Sequence, residues 1–144
     1  MDAGTARSIA HQSHVGQRTR HGSLMSEHLE RVAAAVPEEA RAVAFLHDVL
    51  EKTETSVEEL DISGLTPVER EALDLLTRAV DESFDLHALR VAHASGVAGR
   101  IARAIKLADL EDHIGENVHT RDEPPYAWAR QHILAAMHRR GEGA

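Results

Sequence analysis

The sequence predicts an all-α fold, a single bundle of about seven to eight helices. Three observations predict it. Alternating β-branched runs are absent. Ala, Leu, Arg and Glu, all good helix formers, dominate the chain. Apolar residues recur at three- and four-residue spacing, the period of a helix face. The first helix is expected over 5–15, followed by the polar, glycine-flanked loop "GQRTRHGS" at 16–23. A second is expected over 24–36, with Leu24, His28, Leu29, Val32 and Val36 on one face. Pro37 suits the first turn of a third, with Glu38 and Glu39 near its positive end and Val43, Leu46, His47 and Leu50 on one stripe. "ETSVEELDISGL" reads as an irregular connector with one short helical turn. Thr66 as N-cap and Pro67 at the first helical position open the next helix, which reaches about Ala79. "DESFD" breaks it; further helices follow over 86–94 and 100–114. "RDEPP" forces a turn, and the last helix covers 126–139.

The 144 residues suit one domain with one core, expected at about 5–139, with 140–144 as a flexible tail. No cysteine is present, which excludes disulfides, thiolate metal sites and cysteine nucleophiles. No apolar run approaches the ~20 residues of a membrane span. The N-terminus lacks the apolar stretch of a signal peptide, so a cytoplasmic location is expected. A net charge of −8 makes nucleic acid an unexpected partner. Histidine is over-represented: 11 residues against one Trp, one Tyr and two Phe. It is the commonest metal ligand and the usual acid–base group near neutral pH.

"AVAFLHDVLEKTET" (42–55) places His47 and Asp48 in one of the most apolar stretches of the chain. A buried carboxylate needs pairing or a metal. Two further polar residues stand on apolar helix faces: His28 between Leu24 and Val32, and Asp109 in "AIKLADLEDH". Two imidazoles and two carboxylates from three helices suit Mn²⁺, Fe²⁺, Zn²⁺ or another first-row ion such as Co²⁺. Helical bundles build metal sites by pointing such side chains inward. The alternative is structural: a core histidine with ordinary hydrogen bonds, and Asp109 paired with Lys106 or Arg103 on its own helix.

At these four residues the sequence resembles the HD superfamily of metal-dependent phosphohydrolases, whose pattern is a histidine, a His-Asp pair and a distant aspartate. It is most similar to the RelA/SpoT-type (p)ppGpp hydrolase domain and its stand-alone small relatives. "HVGQRTRHGSLMSEHLERVA" (14–33) is similar to H-x-G-Q-x-R-K-x-G-x-P-Y-x-x-H-P-x-x-V-A, "AFLHDVLEKT" (44–53) to A-x-L-H-D-x-V-E-D-T, and "AIKLADLEDH" (104–113) to x-x-K-L-A-D-x-x-x-N. "LTRA" (76–79) matches a further segment, so the resemblance covers about 8–115. It implies His28, His47, Asp48 and Asp109 as ligands of one divalent ion, Mn²⁺ first, and a metal-activated water that removes the 3′-pyrophosphate of (p)ppGpp. The sequence departs from the pattern at four places: Glu51-Lys52 for Glu-Asp, His113 for Asn, Leu24-Met25 for Pro-Tyr, and Thr19 in the R-K pair, flanked by Arg18 and Arg20.

Glu51 is expected to hold or deprotonate the water, being one turn from His47 and Asp48; otherwise it is a solvated charge at a helix end. Lys52 either neutralises a phosphate oxygen or is a surface lysine. His113 is expected to replace the asparagine as a donor to substrate, act as general acid or add a ligand. Arg18 and Arg20 are expected to grip a pyrophosphate, with His21 beside them. Lys106 would approach phosphate or Asp109, and Asn117 would take the amide role. His11, His87, His93, His119, His132 and His138 show no usable pattern and read mostly as surface residues. The expected partner is a small phosphorylated nucleotide. The rivals are an HD hydrolase of another nucleotide or phosphomonoester, and a catalytically degenerate HD module that binds metal or nucleotide and regulates a partner.

Overall fold

A computed structural model of the chain describes residues 1–116 and 123–143. Among these residues it holds nine α-helices, one 3₁₀ turn and no strand. Its only β-type pairing there is an isolated bridge between Arg18 and Leu24 that closes the 16–23 loop. The all-α expectation is met. No described helix is long and apolar enough to cross a membrane.

A capping side chain starts four of the nine described α-helices. α1 (Ala3–Ser13) is capped by Asp2, whose side chain accepts from Thr5 N. α2 (Met25–Ala34) buries Met25, His28, Leu29, Val32 and Ala33, whereas Leu24 precedes it and is 36% exposed. The helix expected from Pro37 onward is divided. A 3₁₀ turn (Glu38–Ala40) leads into α3 (Arg41–Leu46), and α4 (Val49–Lys52) follows after a two-residue break. That break is His47-Asp48. Asp48, at φ −103° and ψ −3°, sits at the edge of the right-handed helical region. The connector holds α5 (Val57–Ile62), capped by Ser56. These short pieces account for the difference from seven to eight helices.

α6 (Pro67–Leu76) carries the expected start in full: Thr66 and Glu69 form a capping box, with Pro67 in the first turn. It stops at Leu76, short of Ala79. α7 (Phe84–His93) begins two residues before the expected 86, because Ser83 caps it by accepting from Leu86 N. α8 (Gly96–Gly115) starts four residues early. Gly99 permits this: a Cβ there would lie 2.5 Å from the Ala94 carbonyl oxygen. α9 spans Tyr126–Arg139.

α8 is the central element. It packs against α2, α6, α7 and α9, while α3 packs against α1, α2 and α6. Ile105 and Leu110 of α8, Leu29 and Val32 of α2, Val43 and Leu46 of α3, and Ile133 of α9 are fully buried. Ile133 and Met137 are therefore core residues, and Leu134 and Trp128 are half-buried.

Arg103 is fully buried in α8. It does not serve Asp109, as one sequence reading allowed. Its guanidinium donates to the carbonyls of Val91, Ala92 and Ala94 at the end of α7, and to both carboxylate oxygens of Glu142. Glu142 belongs to the stretch expected to be a flexible tail. Removing one partner of a buried ion pair costs roughly 3–5 kcal/mol. Arg103→Ala is therefore expected to lower Tm by roughly 10 °C. An unchanged melting curve would mean that the α7–tail junction does not depend on this pair.

Candidate metal centre and cleft

Three elements converge at one point of the bundle. α2 brings His28, the break between α3 and α4 brings His47 and Asp48, and α8 brings Asp109. One ligand atom from each lies within 4.8 Å of all the others. His28 Nε2 is 3.1 Å from Asp109 Oδ1 and 3.9 Å from Asp48 Oδ2. His47 Nε2 is 3.2 Å from Asp48 Oδ2 and 3.4 Å from Asp109 Oδ1.

The far edges of the two rings are spoken for. His28 Nδ1–H donates to Asp112 Oδ2 at 2.6 Å. His47 Nδ1–H donates to the Ala44 carbonyl at 2.7 Å. A neutral imidazole that donates through Nδ1 keeps its lone pair on Nε2. In that neutral form both Nε2 lone pairs face the two carboxylates; His28 Nε2, His47 Nε2 and Asp48 Oδ2 are buried without a hydrogen-bond partner among the described residues. This is the arrangement by which outer-shell hydrogen bonds orient histidine ligands. The cluster could hold a metal ion, and its donor set suits a first-row divalent ion better than Ca²⁺ or Mg²⁺.

Where no cation is bound, protons on the two imidazoles offset the charge of the carboxylates. Burial works against charge on His28 and His47, but Asp109, Asp112 and Asp48 outweigh it and raise the two imidazoles to about 9 and about 10. Burial likewise opposes ionisation of Asp48 and Asp109. The cations around them nevertheless hold both carboxyls well below the usual carboxylate range, His47 chiefly for Asp48 and Lys106 chiefly for Asp109. Two buried carboxylates require positive charge beside them, either as bound protons or as a cation.

The cluster opens onto a cleft of about 200 Å³. Of the residues picked from the sequence, His47, Asp48, Glu51, Lys52, Arg20, Lys106, Asp109 and His113 line it. Glu51 is exposed, and its Oε1 accepts from Arg78 N at 3.1 Å, leaving one oxygen for other work. Lys52 Nζ lies 3.4 Å from Asp48 Oδ1. Lys106 Nζ lies 3.5 Å from Asp109 Oδ2 and 5.7 Å over the Phe84 ring. His113 Nε2 is 3.3 Å from Asp109 Oδ1, and its ring stacks on Tyr126 with centroids 4.9 Å apart. Arg18 does not line the cleft; it donates to the Gly22 carbonyl at 2.8 Å and so closes its own loop. Asn117 lies outside the described residues, as does His119.

Several residues here escape sequence reading. Asp112 stands behind His28 and also receives Arg31 Nε at 2.6 Å. Its signal was available, because Asp112 is three residues after Asp109 on one helix face. Glu116 accepts from Ser23 Oγ at 2.8 Å and from His21 Nδ1 at 2.7 Å, and so ties the 16–23 loop to the end of α8. His14 is buried and hydrogen-bonded to Gln17 at 2.7 Å. Phe84 and Tyr126 line the cleft with no local signal, and Thr19 and Arg78, from two of the stretches that carry the resemblance, line it as well. His87 corrects the sequence reading: far from being a surface residue, it is 2% exposed and lines the cleft. His93, His132 and His138 are exposed as expected.

No family model matches the chain. Over 99 residues it is 34% identical to the guanosine-5′-triphosphate,3′-diphosphate pyrophosphatase of Photobacterium profundum. The match takes in 65% of this chain and 20% of that protein, so the chain spans about a fifth of the length of this curated relative.

Proposed function

We propose that residues 1–144 form an HD-type domain that hydrolyses a phosphorylated nucleotide with the help of one divalent metal, Mn²⁺ first. The observation that carries the reading is the convergence of two Nε2 lone pairs and two carboxylates within 4.8 Å at a cleft walled by Arg20, Lys52, Arg78 and Lys106. His28, His47, Asp48 and Asp109 would hold the ion. Such an ion supplies Lewis acidity and lowers the pKa of water towards neutrality. The cationic wall suits phosphate oxygens, which an acidic protein can bind only by concentrating positive charge locally. Glu51, with one carboxylate oxygen on the Arg78 amide, keeps the other to take a proton from the attacking water. His113, braced by Tyr126, can return a proton to the leaving group. The relative is named for a guanosine 5′-triphosphate,3′-diphosphate, which makes (p)ppGpp the first substrate to try; loss of its 3′-pyrophosphate is what the HD resemblance implies.

A second reading has its own observation. Lys52 puts an ammonium 3.4 Å from Asp48, where the HD pattern has an acid. A lysine there strengthens phosphate binding and weakens proton transfer, as in a module that binds a nucleotide without turnover. Screening the Mn²⁺-loaded protein against a nucleotide panel separates the two. Release of pyrophosphate or orthophosphate, abolished by chelator, supports the hydrolase. Binding with no product from any nucleotide supports the module.

Asp112 offers a test of the metal site that leaves the four ligands in place. Removing an outer-shell carboxylate usually costs 10–100-fold in metal affinity. Asp112→Ala should weaken Mn²⁺ binding by about that factor in calorimetric titration. Wild-type affinity in the variant would show that His28 needs no carboxylate to orient it.

A further inference from the structure

His87 is a buried imidazole to which the proposed chemistry assigns no part. It sits on α7, lines the cleft and is 2% exposed. Its neighbour one turn on, Arg90, is locked in place: Nε and Nη2 donate to Glu82 at 2.8 and 2.9 Å, and Nη2 to the Thr77 carbonyl at 3.2 Å. Arg90 Nη2 also reaches His87 Nδ1 at 3.2 Å. A guanidinium can only donate. Its Nη2 has two hydrogens for three acceptors, so His87 Nδ1 shares one of them; an N–H at Nδ1 would point at the guanidinium, so Nδ1 presents its lone pair and the ring proton sits on Nε2. The more distant Glu82 oxygen, 3.5 Å from Nδ1, is already engaged by Arg90. Burial first, and then the charges of Lys106 and Arg90, push the imidazole down to about 4, so the ring is neutral at pH 7.

Among the described residues the ring's hydrogen bonds run through Nδ1. We infer that His87 is a substrate-binding residue, a neutral imidazole preset by Arg90 to donate Nε2–H to an acceptor oxygen of a phosphorylated ligand in the cleft. A fixed donor beside Lys106 and Phe84 selects acceptors and rejects donors. Two oxygens fit the chemistry, a phosphate oxygen and a carbonyl of the base. The inference rests on the reading of the cleft as a nucleotide site.

Calorimetric titration of Zn²⁺-loaded protein with GDP, ADP and ribose 5-phosphate tests it. His87→Leu keeps volume and removes the donor; His87→Gln places an amide N–H near the position of Nε2. A hydrogen bond to a charged or buried acceptor predicts about 10-fold weaker binding for the Leu variant. The Gln variant should stay within about threefold of wild type, a rescue that a merely structural role would not show. A loss shared by all three probes assigns the proton to a phosphate oxygen. A loss confined to GDP assigns it to the guanine carbonyl, which adenine replaces with an amino group. ¹⁵N NMR of the wild type supplies a readout independent of any variant's folding, and should find His87 neutral and protonated at Nε2. Equal binding by wild type and the Leu variant, or an Nδ1–H tautomer, overturns the inference alone. Failure of wild type to bind any of the three probes overturns it together with the nucleotide reading.

Discussion

His47→Ala should purify without metal, and its melting temperature should not respond to Mn²⁺. His47 contributes one of two Nε2 lone pairs, and its ring is held by the Ala44 carbonyl at 2.7 Å. Its Nε2 lies within 3.4 Å of an oxygen of each carboxylate. A ligand that binds only the folded state stabilises it by about 2.7 kcal/mol at 100 times its Kd. Wild type should therefore gain several degrees on adding Mn²⁺, and the variant none. The comparison uses the Mn²⁺-induced shift because deleting a buried ring also destabilises the protein by leaving a cavity. Asp48→Ala should behave alike, and both should lose hydrolysis completely. Equal metal content and an equal Mn²⁺-induced shift in His47→Ala would remove the metal centre from consideration.

Glu51→Gln should retain metal and lose turnover by about 10²–10⁴-fold, the scale of a lost general base. The substitution isolates one property. Glutamine keeps an oxygen to accept from Arg78 N, so the anchor between α4 and the end of α6 survives. It keeps size and shape and removes only basicity. Glu51 also stands outside the four converging residues, so metal content should match wild type. Steady-state turnover on the best nucleotide of the panel, with metal quantified on the same samples, reads both. Undiminished turnover with metal bound would transfer the base role away from Glu51 and leave the metal centre standing.

Much of the fold could be read along the chain because its causes are local. Thr66-Pro67 with Glu69 three residues on is a helix start by side-chain chemistry alone, and the capping box forms as expected. The apolar stripe of α2 left His28 facing inward, and it is fully buried. The same logic picked out His47, Asp48 and Asp109, since polar residues on apolar faces need partners. Local reading also had limits where helices break. A continuous helix through His47-Asp48 is the natural expectation, yet the helix is interrupted at these two residues.

What the sequence by itself determined is the helical class, the single core and the four residues that face it with polar atoms, because periodicity and the cost of burying charge act on each segment separately. What only the tertiary structure decided is who stands beside them. Arg18 turned to the Gly22 carbonyl while Arg20 kept to the cleft, a choice made by the bridge from Arg18 to Leu24. Arg103 left Asp109 for Glu142 and the end of α7, and His87 moved from the supposed surface to the cleft wall with its tautomer set by Arg90. Gly22 and Arg90 are near neighbours along the chain, but Glu142 and the cleft that His87 lines come from other elements, and no spacing rule along one helix can reach across the bundle to name them.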